Sequence, residues 1–326
     1  MTALATVVGI DLGGTKILGR AADPAAPLTD AIELRVDTPR GADAILQAIA
    51  GLVADLDAKV RAEGRPPVQA VGLGAAGLID LAGVLRFAPN LPTVIDCDFA
   101  TELRTRTGRP VVVDNDANCA TRAELDLGAA RGATEAVLVT LGTGIGAGNV
   151  VGGAVQRGAK GFAGEPGHMV VDPNGPPCPC GRRGCWERYA SGSGLGRFGR
   201  DAAAAGRAER LVELAGGEHE AVRGEHVTIA AREGDPGALE ILRTFGWWVA
   251  LGIANLVSIL DPEVVVVGGG LVSAGDALME PVREAYRDLV LAHEHRPPVR
   301  IEPAVLGNDA GAIGAALLAA ELLAGA

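Results

Sequence analysis

Apolar residues along this chain follow two alternating patterns: short uninterrupted runs, and longer stretches in which they recur every three or four positions. The first is the pattern of strands buried on both faces, the second that of amphipathic helices. Residues 7–10 predict a first strand, 11–16 a tight turn and 17–21 a second strand. A third strand over 31–36 precedes a helix over 42–63 with Ile45, Ile49, Leu52 and Leu56 on one face, stopped by Gly64, Pro66 and Pro67. Next come a strand over 68–74, a hairpin over 78–87 turning at Ala82-Gly83, a helix over 99–107 and a strand over 111–114, apolar up to Asp114, that runs into a helix. Residues 135–141 and 145–151 predict strands around Gly142-Thr143-Gly144. The remainder is mostly helical: 195–205, around 211–214, 229–231 and a long helix over 236–259. A strand over 264–267, a helix over 275–292, a strand over 299–301 and a helix over 309–323 close the chain.

This alternation predicts an α/β protein, and 326 residues exceed one ordinary core, so two domains are expected. Hydrophobic residues make up 48% but aromatics only 3%, leaving Ala, Gly and Val to fill the interior. The formal charge of −11, from 29 Lys and Arg against 40 Asp and Glu, disfavours nucleic acid and anionic membrane as partners. The N-terminal apolar run has no basic residue before it and soon reaches Asp11, which predicts a buried strand rather than a signal peptide. No run approaches the ~18 apolar residues of a membrane span. A reducing, cytoplasmic location is expected.

Three of the five cysteines and one of the five histidines fall within residues 164–187. A structural zinc takes four N or S ligands in a tetrahedron. Cys178 and Cys180 can wrap one side, Gly181 and Gly184 permit the tight turn, Cys185 adds a third corner and His168 the fourth. The odd number of thiols and the reducing location disfavour disulfides. With four protein ligands no position stays open for a zinc-activated water, so the metal is expected to be structural. Glu165 and Glu187 flank the cluster, where fixed carboxylates suit the hydroxyls of a sugar.

The segments Asp11-Leu-Gly-Gly-Thr-Lys16 and Gly142-Thr143-Gly144 each join two strands. Turn glycines let backbone N–H groups approach phosphate, and their repetition predicts one strand-turn-strand unit used twice on a polyphosphate. A dinucleotide fingerprint fits poorly, because its glycines should open a helix whereas residues 145–151 continue as strand. Asn115-Asp116-Ala117-Asn118 lies where a strand ends and a helix begins, the edge at which ligands gather in open α/β sheets. Helix capping is the commonest task of an aspartate there, but the adjacent asparagines and the phosphate turns favour catalysis for Asp116. Gly268-Gly269-Gly270 admits either a flat ring such as adenine or only a close-packed turn. Trp247 and Trp248 are expected in the core or a subunit contact, and the small residues around Gly311 and Gly314 in tight packing.

Together the two glycine turns, Asn115-Asp-Ala-Asn118, Glu165-x-Gly-His168 and Cys178-x-Cys180-Gly-x-x-Gly-Cys185-x-Glu187 resemble the ROK family of sugar kinases and repressors, over nearly the whole chain. The resemblance, strongest to zinc-containing members, implies an actin/hexokinase-like (ribonuclease H-like) α/β fold of two domains. Residues 1–116, completed by 309–326, would form the smaller domain, and 117–308 the larger, zinc-bearing one. It implies a homodimer or homotetramer that uses ATP, Mg²⁺ and structural Zn²⁺ to phosphorylate the 6-hydroxyl of glucose, with mannose or an N-acetylhexosamine as the alternative. Asp116 would take the proton from the sugar hydroxyl, while Gly77, Asn90, Asn115, Glu165, His168 and Glu187 would hold the ring. Asp11, Gly13, Gly14, Thr15, Lys16, Thr143 and Gly144 would surround the phosphates and Mg²⁺, with Gly269 and Gly270 near adenosine. His168, Cys178, Cys180 and Cys185 would bind zinc, His168 presenting its other ring nitrogen to a sugar hydroxyl. Thr93 and Val94 follow Asn90-Leu-Pro where similar members often carry an aromatic. Repressor members need a DNA-binding helix-turn-helix, for which a first strand starting within ten residues leaves no room.

Overall fold

The computed structural model describes residues 5–26 and 31–325, so the first four residues of the N-terminal run and Ala326 lie outside it. Strands β1 (Thr6–Leu12), β2 (Lys16–Ala22) and β3 (Ile32–Asp37) are followed by helix α1 (Ala42–Ala62) and β4 (Val68–Ala75). The hairpin β5 (Leu78–Ile79) and β6 (Val84–Phe87) then leads to β7 (Cys97–Asp98), α2 (Phe99–Thr107), β8 (Val111–Asn115) and α3 (Asp116–Leu127). Next come β9 (Ala136–Leu141), β10 (Ile145–Val151), β11 (Ala154–Val155) and the helices α4 (Glu187–Ala190), α5 (Gly192–Ala204), α6 (Glu209–Leu214), α7 (Gly224–Arg232) and α8 (Pro236–Leu260). The chain closes with β12 (Val264–Gly268), α9 (Asp276–Leu289), β13 (Arg300–Pro303) and α10 (Ala310–Ala324).

Two compact units result: Met1–Arg131 with Ala154–Gly164 and Asn308–Ala326, and Gly132–Gly153 with Glu165–Gly307. The resemblance implies a boundary at residue 116; α3, which starts there, lies in the first unit. Its backbone meets α10 so closely that a Cβ on Gly314 would lie 1.7 Å from the Cys119 carbonyl oxygen. Glycines at 9 and 72 admit α10 to the sheet in the same way, with Cβ positions 1.9 Å from the Ala312 oxygen and 1.8 Å from the Ala315 oxygen. The small residues of the last helix therefore serve tight packing.

In the first unit the strand order is β3-β2-β1-β4-β8, β1 running antiparallel to β2 and parallel to β4, and β4 parallel to β8. In the second, β10-β9-β12-β13 repeats β2-β1-β4-β8 with the same directions. The strand-turn-strand unit read twice from the sequence is thus embedded in a sheet topology used twice. In the first unit Ile45, Ile49, Leu52 and Leu56 of α1 are buried with β1 and β4 residues such as Ile10 and Leu73. The second core gathers around α8, started by Asp235, whose side chain caps the Ala238 N–H, and ended by Asp261 in the left-handed region at φ 45°. Among the described residues α8 is the one helix long and apolar enough to cross a membrane, and most of its apolar side chains pack into this core. Helix α9 stops at Leu289, short of the predicted 292, because Val290 turns extended at ψ 135°, and Ala292 at φ 56° leads into a 3₁₀ turn over His293–His295.

Candidate active site

In the first unit the turn after β1 is closed by the Gly13 N–H donating to the Lys16 carbonyl at 3.0 Å, and Thr38 Oγ1 donates to the Gly13 oxygen at 2.8 Å. Gly14, Thr15 and Lys16 are left exposed at its tip. A Cβ on Gly14 would lie 3.0 Å from Cβ of Asn90, so the turn and that amide come together. Asp11 ends up beside the start of α10, where a Cβ on Gly311 would lie 2.9 Å from its Cγ. Burial, with the negative charge of Asp116, pushes the Asp11 carboxyl up to about 7. A carboxylate held at high energy in this way fits a divalent cation such as Mg²⁺, whose charge would restore the ionised form.

At the end of β8 the cap of α3 is Asn115, not Asp116. Asn115 Oδ1 accepts from the Ala117 and Asn118 N–H groups at 2.8 and 3.2 Å, and its Nδ2 donates to the Gly77 carbonyl at 3.0 Å. The capping role weighed for Asp116 thus falls to its neighbour, and both polar atoms of the Asn115 amide are engaged within the protein. Gly77 must be glycine, since at φ 130° a Cβ would lie 2.5 Å from the Phe87 oxygen. Asp116 occupies the first helical position, its Oδ1 accepting from the Ala117 N–H at 2.9 Å. Burial raises its pKa, and hydrogen bonds from the backbone offset only part of that.

In the second unit Thr143 is exposed at the turn between β9 and β10, and a Cβ on Gly144 would lie 2.7 Å from Glu187 Oε2. The turn is held by two groups that the sequence reading passed over: the Gly192 N–H donates to the Gly142 oxygen at 2.7 Å, and Ser193 Oγ to the Thr143 oxygen at 2.8 Å. Their signal was the Ser191-Gly-Ser-Gly194 run, in which Ser191 caps α5. Gly269 has φ 85°, and a Cβ there would lie 2.5 Å from the Leu141 oxygen, so close packing explains this glycine. Gly270, by contrast, has nothing within 4 Å of a Cβ position.

The cysteine segment folds into a knuckle in which the Cys178 N–H donates to the Arg182 oxygen at 2.8 Å and the Gly181 N–H to the Cys178 oxygen at 3.0 Å. Gly184 makes the return at φ 64°, where a Cβ would meet the Asp172 oxygen at 1.5 Å. His168 Nδ1, Cys178 Sγ, Cys180 Sγ and Cys185 Sγ all lie within 4.8 Å of one another, with Cys178 3.8 Å from the imidazole and Cys180 3.5 Å from Cys185. Zn–S bonds of ~2.3 Å imply a tetrahedral edge of about 3.8 Å, so the four groups fit one zinc ion.

Behind the knuckle Trp186 is fully buried, its Nε1 donating to the Trp248 carbonyl at 2.7 Å. Tyr189 stacks on the Trp248 ring with centroids 3.9 Å apart, and its hydroxyl donates to Asp172 at 2.6 Å. Trp248 therefore serves the packing of the cysteine loop, while Trp247 keeps 39% of its surface exposed. Glu187 begins α4 directly after this anchor, and the Glu165 carbonyl accepts from the His168 N–H at 3.1 Å.

Residues 7–322 match the sequence profile of the ROK family. A glucokinase from Streptomyces coelicolor is 39% identical over 317 residues, which are 96% of this chain and 97% of the relative. A glucokinase from Thermotoga maritima is 34% identical over 98% of each chain. Among solved structures, a ROK family glucokinase from Streptomyces griseus in complex with glucose and AMPPNP superimposes with a TM-score of 0.86 at 38% identity, covering 97% of this chain and 100% of that one.

Proposed function

The chain belongs to the ROK family, and on that premise we propose that it is an ATP-dependent glucokinase, transferring the γ-phosphoryl group of ATP to the 6-hydroxyl of glucose. The observation that carries this reading is the likeness, over almost the full length, to a glucokinase captured with glucose and AMPPNP. Its α/β fold is the actin/hexokinase-like one of these enzymes.

Phosphoryl transfer asks a protein mainly for positioning and charge neutralisation, with a carboxylate to accept the proton of the attacking hydroxyl. Asp116 has that role here. With Asn115 as the cap, its carboxylate is available as a base, and the burial that raises its pKa favours the neutral form it reaches on taking the proton. Asn90, Glu165, His168 and Glu187 bind the sugar hydroxyls, with Gly77 and Asn115 shaping the pocket backbone. The exposed turn residues Gly14, Thr15, Lys16 and Thr143, with Gly13 and Gly144, cradle the phosphates, and Gly269 and Gly270 lie against adenosine. Asp11 would hold Mg²⁺, which supplies positive charge to the phosphates when bound. His168, Cys178, Cys180 and Cys185 would hold a zinc ion that fixes the loop carrying Glu165 and Glu187. The same reading makes the enzyme cytoplasmic and a homodimer or homotetramer. Purified protein assayed with ATP against glucose, mannose, N-acetylmannosamine and N-acetylglucosamine should give its highest kcat/KM with glucose. Preference for another hexose would move the substrate assignment, and no turnover of any of them would end the kinase reading.

A further inference from the structure

We propose that Arg157 is a positioning residue for this transfer, acting through Asp114 on the turn of α3 that carries Asp116; the inference rests on Asp116 being the base.

The Asp114 side chain is 7% exposed, and a carboxylate at that depth needs donors and a counter-charge. Its Oδ1 accepts from the Asn115 N–H at 2.8 Å and from Asn118 Nδ2 at 2.9 Å, while its Oδ2 accepts from Arg157 Nε at 2.6 Å. The two α3-side donors bracket Asp116 in the chain. One is the backbone of the residue that caps the helix, the other a side chain in its first turn. A shift of the Asp114 carboxylate is therefore transmitted to residues on both sides of the base. Among the described residues Arg157 is the one partner that comes from outside this strand and helix, and it brings the positive charge.

Arg157 is itself held in place. It lies in the excursion Ala154–Gly164, flanked in sequence by stretches of the second unit. Its carbonyl accepts from the Ala163 N–H at 3.1 Å, and Nη1 donates to the Val155 oxygen at 3.3 Å. Gly161, at φ 94°, seats the excursion on β5 so closely that a Cβ would lie 2.6 Å from the Ile79 oxygen. The guanidinium thus meets Asp114 from a fixed support. A one-ångström misplacement of a reacting group costs on the order of 10²-fold in rate, so a small relaxation here suffices to matter.

Arg157→Ala should lower kcat by roughly 10- to 100-fold while KM for glucose and ATP stays within a few-fold. Amide exchange should quicken at Ala117 and Asn118 and stay unchanged in the second unit. Arg157→Lys should recover part of the loss. Asp114→Asn combined with Arg157→Ala should be faster than Arg157→Ala alone, because the buried charge that needed a partner is gone. Unchanged kcat in Arg157→Ala overturns the inference, as does a loss that merely tracks the unfolded fraction or a double variant no faster than the single one. Wild-type protein inactive on every hexose strikes the kinase reading instead. In that case exchange at Ala117 and Asn118 still decides whether Arg157 orders the turn, and unchanged exchange refutes it.

Discussion

Glu187 places its Oε1 3.1 Å from the Sγ of Cys178, so the cysteine knuckle and the carboxylate beside it are one piece of structure. The other oxygen of Glu187 reaches the glycine turn at Gly144, where a Cβ would lie 2.7 Å from it. Anything that loosens the knuckle must loosen Glu187 as well.

Removing the metal by chelation, or the Cys180→Ser change, should therefore raise the glucose KM by about 10- to 100-fold, the range for losing the groups that orient a metal site. Elemental analysis should find one zinc per chain before treatment, with KM recovering on zinc addition to the chelated protein. A zinc-free protein with unaltered KM would break the link between knuckle and sugar.

Asp116→Ala should lose ~10²–10⁴-fold in kcat, the range ascribed to a general base, while calorimetry still detects glucose binding. As a base Asp116 would work deprotonated, and burial raises its pKa, so on this reading activity should fall as pH drops through a value above the ordinary 3.8. A pH profile of kcat flat down to that value would contradict this environment for Asp116.

Asp57 organises a charged junction in the first unit, accepting from the Val68 N–H at 2.7 Å and Arg61 Nε at 3.0 Å, with Arg109 Nη2 2.9 Å away. Burial pushes its pKa up, but these donors more than offset it and hold the carboxyl below its usual value. The stabilisation is complete above the unfolded value of about 3.9 and is lost as pH falls through the lower folded value. Asp57→Ala should cost about 1–3 kcal/mol at neutral pH in denaturant melts. That gap between wild type and variant should shrink in acid below 3.9, and a constant gap would count against the charge as its source.

Gly252 leaves the space in α8 that Trp186 fills, since a Cβ there would lie 1.9 Å from Cε2 of the indole. Gly252→Ala should destabilise the second unit by roughly 1–3 kcal/mol through overpacking. The displaced indole should show a red-shifted fluorescence, and glucose KM should rise because Glu187 follows Trp186 in the chain. An unshifted melt with native fluorescence would mean that α8 or the ring gives way without cost.

Much of this was legible in the sequence because the chemistry is compact there. Three cysteines and a histidine within residues 168–185 have few joint uses, and uninterrupted valine runs such as 264–267 read as buried strand in any context. What escaped depends on residues far apart in the chain. Nothing local to residues 116–127 says that they pack on residues 310–324, or that Arg157 reaches back to Asp114. Which residue caps α3 was not legible, since Asn115 and Asp116 are both good caps and only the geometry chooses between them. Strand β7, with two residues, carries no period at all.

The doubled sheet carries a consequence for how the chain divides its labour. The last ladder pair is Leu12 with Ile17 in one copy and Leu141 with Ile145 in the other, so one step back Asp11 corresponds to Thr140. Where the first copy keeps an acid, the second has a hydroxyl that donates to the Gly146 oxygen at 3.2 Å. Twins in topology have thus become unlike in charge: the same sheet position carries a carboxyl in one copy and a hydroxyl tied to its own hairpin in the other.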